Sequence, residues 1–173
     1  RFGARIAIEM PPGVSFDSAD AFDPKRIRLA DVDGSGTTDI IYLGSEVRVF
    51  RNLAGNRLSM PDVVAAAPVV DQLSHVAVLD FEGDGTGCLV WSAGLAADGR
   101  AALRYVRLSE DPALHLGARP HLLATVDNQL GAKTTIVYEP STRDYIRDEE
   151  AGRPWATRLP FPVHVVRRTE RHE

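Results

Sequence analysis

Cysteine is nearly absent: Cys88 is the only one in 173 residues. No internal disulfide can form, and no CxxC or Cys/His cluster is available to hold zinc. Charge of one sign is also missing. Net charge is −4, and the 20 Lys and Arg residues are scattered apart from a terminal group, Arg167, Arg168 and Arg171. That removes the electrostatic footprint of a nucleic-acid binder. No run of about 18 apolar residues could cross a membrane. The opening RFGARIAIEMPPG lacks the apolar core of a signal peptide. That opening and the closing HVVRRTERHE read as the middle of a larger protein. GxSxG, HExxH, GxxxxGK[ST] and GxGxxG are all absent, so serine hydrolase, zincin, P-loop and Rossmann chemistries have no motif to rest on. His75, His115, His121, His164 and His172 are spread out, with no pair at metal-ligand spacing. Each reads as a surface or half-buried polar residue.

What is present is a repeated acidic turn. RLADVDGSGTTDIIYLG covers residues 28–44, and VLDFEGDGTGCLVWSAG begins at Val78. Aligning Asp31 with Asp80 also matches Gly34 with Gly83, Gly36 with Gly85 and Thr37 with Thr86. Each loop follows an alternating stretch and leads into an apolar run ending in Tyr42 or Trp91. Ile27 and Leu29 are expected on one strand face, Ile40 to Leu43 in a buried strand, and Val47 with Val49 in the next. After the connection RNLAGNRLSMPDVVAAAPVVDQLS, a second group is expected from Val76, Val78 and Leu79, then Leu89 to Trp91. Leu103, Tyr105 and Arg107 follow, alternating against Arg104 and Val106. Short strands repeating at about 40 to 50 residues are the signature of propeller blades, and two blades alone leave a propeller incomplete.

The first loop, DVDGSGTTD, offers side-chain oxygens at Asp31, Asp33, Ser35 and Asp39, with the Thr37 carbonyl between them. Such an oxygen set suits calcium, which takes six to eight hard ligands. Tyr42 stands where an EF-hand needs its bidentate Glu, so a strand-to-strand calcium loop is expected. The other reading is an acidic turn whose carboxylates accept backbone N–H groups. The second loop keeps Asp80, Glu82, Asp84 and Thr86 but has Cys88 at the ninth position. Thiol sulfur is a poor ligand for a hard cation, so a metal-free turn is the better reading there.

Beyond residue 109 the pattern changes. SEDPALHLGARP reads as a linker, and Asp127-Asn128-Gln129-Leu130-Gly131 as a hairpin turn between two strands. Ser141, with Asp144 three residues on, is an N-cap candidate for a short helix to about Glu150, ended by Gly152 and Pro154. Arg143, Asp144, Arg147 and Asp148 read as its solvated face, and Trp155 as an anchor between sheets. Arg153 and Arg158 beside Trp155 are weak candidates for a carboxylate clamp. LPFPVHVVRRTE supplies a last strand, entered through prolines that suggest an edge.

The DxDGxGxxD loop resembles FG-GAP repeats, the calcium-loop blades of integrin-type β-propellers. The strings NQLGA, YEPSTRDY and GRPWATRLPFPVHVV, in this order after the two loops, resemble the B component of bacterial insecticidal toxin complexes. They also resemble related proteins with a Salmonella virulence plasmid B-type N-terminal domain. The resemblance implies an all-β fold, with two propeller-blade-like repeats over 1–108 and strands of an Rhs-type shell, with one short helix, over 109–173. It implies a secreted, virulence-associated docking and structural segment without catalysis. Its partners would be the pore-forming A component and the C component of the complex. A calcium-stabilised adhesion or receptor-binding propeller is the alternative.

Overall fold

The computed structural model describes residues 3–18, 20–67, 74–93, 103–114, 116 and 121–172. His115 and parts of the two expected connections lie outside them. The chain divides into two compact units, one of 1–79 with 87–120 and the other of 80–86 with 121–173.

In the first unit, strands β1 (Ile27–Ala30), β2 (Asp39–Leu43), β3 (Val47–Phe50) and β4 (Asp62–Val63) form a four-stranded sheet in chain order. All its pairings are antiparallel, from Ile27 opposite Tyr42 to Ala30 opposite Asp39, and from Ile40 opposite Phe50 to Leu43 opposite Val47. β5 (Ser74–Leu79), β6 (Cys88–Ala93) and β7 (Leu103–Arg107) form a second antiparallel meander. Because strand side chains alternate between faces, Ile41, Leu43, Val47 and Val49 share one side of the first sheet. They pack with Val76, Leu89 and Trp91 of the second sheet, and with Leu108 and Leu114. The opposite side carries Tyr42 and Phe50, and Met10, Val14 and Phe16 of the N-terminal segment cover it. Phe16 stacks on Tyr42 at 4.9 Å between centroids. Arg48 lies over the Tyr42 ring at 5.3 Å and donates to the carbonyls of Ser15 and Phe16, while the Tyr42 hydroxyl donates to Asp17. A strand buried on both faces reads as a continuous apolar run, which is what Ile40–Leu43 is.

Ile27 and Leu29 share a face, opposite Tyr42 and Ile40, though Leu29 is 65% exposed. On β7, Leu103 and Tyr105 remain well exposed, and Val106 packs on the core. The expected alternation holds, with Val106 on the inward side.

The second unit contains β8 (Thr125–Asp127), β9 (Lys133–Pro140), α1 (Ser141–Glu150) and β10 (His164–His172), with the strands in the order β10-β9-β8. The hairpin turn is where the sequence placed it. Asn128 Oδ1 accepts the N–H groups of Leu130 and Ala132, and Asp127 Oδ1 accepts that of Gln129. Gln129 at φ 57° and Gly131 at φ 100° supply the left-handed steps. Among the described residues β10 pairs only with β9, and it shifts register between Val166 and Arg168, an edge strand with a bulge.

The helix spans Ser141–Glu150, but Ser141 is not its N-cap. Pro140 holds that position without a side-chain cap. The buried Ser141 hydroxyl instead accepts the Val163 N–H at 3.0 Å, while Ser141 N–H donates to Val163 O at 2.8 Å. β9 runs straight into the helix, with Pro140 still paired to His164, so that hydroxyl is engaged sideways. At the other end Gly152, at φ 71°, donates to Glu149 O, as a C-terminal glycine should. Arg147 bridges Asp144 at 2.7 Å and Asp148 at 3.3 Å. Trp155 is no anchor between sheets. Its ring meets Tyr145 edge-on at 5.7 Å, and its Nε1 donates to Asp148 at 2.9 Å, pinning the following turn back onto the helix. That bond, with help from Arg147 and Arg153, holds the Asp148 carboxyl below the usual range, against the opposing effect of burial.

Candidate metal centre

The first acidic loop fills residues 31–38 between β1 and β2, and Asp39 opens β2 opposite Ala30. Carboxylate oxygens of Asp31, Asp33 and Asp39 all lie within 4.8 Å of one another. Backbone donors shape the turn. Asp31 accepts from Ser35 N–H at 3.1 Å and Gly36 N–H at 2.9 Å, and Asp33 accepts from Ser35 N–H at 3.0 Å. Gly36, at φ 82°, has the left-handed backbone that glycine adopts without strain. The Ser35 and Thr37 hydroxyls are 2.8 Å apart.

Asp39 is fully buried. Its two oxygens accept Val32 N–H at 2.9 Å and Asn52 N–H at 2.8 Å. Burial pushes its carboxyl up, the Asn52 and Val32 N–H groups pull it down, and the nearby Asp33 and Asp31 add to the rise. A cation among the three carboxylates would oppose that rise. Three carboxylates brought this close form an oxygen donor set that fits a hard cation such as calcium.

Sequence reading missed Asn52. Besides its N–H on Asp39, its side-chain amide donates to Thr38 O and its carbonyl accepts the Thr37 hydroxyl. Its Oδ1 caps Gly55 N–H. The only trace in the sequence is the Asn-Leu-Ala-Gly turn it starts, where Ala54 and Gly55 have positive φ.

The second loop repeats the backbone scaffold that Asp31 gives the first, but not its carboxylate cluster. Asp80 accepts from Asp84 N–H at 3.0 Å and Gly85 N–H at 2.9 Å, and Asp84 accepts from Thr86 N–H at 2.9 Å. Among the described residues Asp80, Glu82 and Asp84 form no converging group like that of the first loop, and no histidine joins one. Cys88 is buried at the start of β6.

Residues 52–172 match the family described as the insecticide toxin TcdB middle/N-terminal region. The chain belongs to this family. Solved structures agree with the TcdB assignment. The Photorhabdus luminescens Tc holotoxin pore contains a chain 26% identical over 90% of this one, with a TM-score of 0.70. A TcdB2-TccC3-Cdc42 crystal structure gives 26% identity over 90% and a TM-score of 0.71. A crystal structure of TcdB2-TccC3 without the hypervariable C-terminal region gives 26% over 88% and 0.68. The match spans 7% of the length of each of those chains. No curated protein matches. The described residues are mostly β-strand with one short α-helix, and no helix among them is long and apolar enough to cross a membrane.

Proposed function

We propose that this chain works as a non-enzymatic structural and docking segment of a secreted bacterial toxin-complex B-type protein. The observation that carries this is its similarity, over nine-tenths of its length, to chains solved within Tc toxin assemblies. On this reading the two meanders of the first unit are FG-GAP-like propeller blades that help attach and gate the pore-forming A component. The strands from about residue 109 lead into the shell that the C component completes. Two antiparallel meanders joined face to face by Ile41, Val49, Val76 and Leu89 support the blade assignment, since blades bury their faces against neighbours.

Asp31, Asp33 and Asp39, with the Ser35 hydroxyl and Thr37 carbonyl nearby, would hold calcium. Calcium would supply charge neutralisation at a strand corner, and the binding energy would add to folding stability. Melting in millimolar calcium is expected to exceed melting in EGTA, and Asp33→Ala to remove most of that difference. Equal melting in the two conditions sinks the metal assignment.

Docking is tested separately in the full-length protein. Ile41→Asp places a charge between the meanders and is expected to abolish co-sedimentation with the pore-forming component while the C component stays bound. Loss of the C component alone would reverse the assignment of the two units.

A further inference from the structure

The two acidic loops share glycines at matching positions, yet those glycines meet different surroundings. A Cβ at Gly36 would touch nothing within 4 Å. One at Gly85, which has φ 84°, would lie 2.9 Å from His164 Cε1 and 3.1 Å from Nε2. A Cβ at Gly83 would lie 3.4 Å from Thr142 Cγ2. The Thr142 hydroxyl donates to the Gly83 carbonyl. The His164 Nε2 is buried without a hydrogen-bond partner among the described residues, so the imidazole meets Gly85 by packing. Residues 80–86 accordingly belong to the same compact unit as α1 and β10.

We propose that the second loop is held by protein in place of a cation, with Thr142 and His164 as the positioning residues that fix its shape. A tight turn carrying three acids needs something to stop it opening. In the first loop the carboxylates of Asp31, Asp33 and Asp39 converge closely enough to share an ion. In the second the ninth-position acid is gone, replaced by the buried Cys88. The compensation comes from the other side of the turn. Its backbone crown, Gly83 to Gly85, is gripped by one hydroxyl and one ring. Glycine at 85 therefore serves two needs, a positive φ and room for the imidazole, whereas Gly36 serves only the first.

This goes beyond the calcium assignment of the first loop and stands without it. Hydrogen exchange of both loops in the full chain, with calcium and with EGTA, tests it. Thr142→Val is expected to speed exchange at 81–86 roughly five- to tenfold, as loss of one anchoring hydrogen bond should. Exchange at 32–38 and in β2 should be unchanged, and Thr142→Ser should restore the slow rate. Gly85→Ala should loosen its loop more than Gly36→Ala loosens the first. EGTA should leave 81–86 unaffected. Unchanged exchange at 81–86 in both Thr142→Val and Gly85→Ala, or acceleration there by EGTA, would overturn the proposal. A first loop indifferent to EGTA would instead count against the calcium assignment alone.

Discussion

Asp39 combines two tasks that the other acids of its loop do not. It has no exposed surface, and it satisfies two backbone donors from segments on either side of β2, at Val32 and Asn52. Asp39→Ala leaves both N–H groups without their acceptor, so a loss of about 2–3 kcal/mol is expected. Urea unfolding should record that loss in EGTA as well as in calcium. Asp39→Asn does not escape the cost, because its amide N–H₂ must face one of the two donors. Asp33, only half-buried where Asp39 is fully buried, is expected to matter through the cation. Asp33→Ala should change EGTA stability by less than about 1 kcal/mol. The acid types and their spacing are visible in DVDGSGTTD. The split between brace and ligand is not, because the second of Asp39's donors, Asn52, lies thirteen residues downstream.

At the scale of elements, what the sequence reveals depends on how local the determinants are. The β8–β9 turn is legible because its instructions, Asn128 and Gly131, act within the turn itself. Asn128→Ala removes the acceptor for two N–H groups and is expected to lower stability by about 1–2 kcal/mol, measured by urea unfolding. The start of α1 is not legible, because Ser141 answers to Val163. β7 is legible only as an alternation: Tyr105 and Val106 fall on opposite faces as a strand should, and only the neighbouring sheet decides which side is inside. The Trp155 turn yields a pH prediction. Since the Asp148 carboxyl lies below its ordinary value, its stabilising contribution is complete above that ordinary value and is lost as pH falls through the lowered one. Trp155 emission should therefore change in a step whose midpoint falls below the usual carboxylate range, and Asp148→Asn should abolish the step.

For the whole molecule, the distribution of exposed apolar groups bears on the blade reading. The face of the β5–β7 sheet turned away from the first sheet carries Leu103 and Tyr105, 44% and 43% exposed, beside the buried Val90, which pairs with Tyr105. A further blade packed there would cover them. Leu103→Ser is expected to leave the melting temperature of this chain almost unchanged and to lower that of the full-length protein by several degrees. Equal shifts in both would count against a further blade.

Among the described residues every strand in the three sheets hydrogen-bonds only to strands adjacent in sequence. Sheet formation therefore waits for no distant stretch of chain, a topology that favours quick assembly in the order of synthesis. Residues 80–86 break that sequence of events. Gly83 and its partner Thr142 are 59 positions apart, so on a ribosome the loop emerges long before the group that grips it. A nascent chain paused in between would present that acidic turn unguarded, a point where early proteolysis and final stability part company.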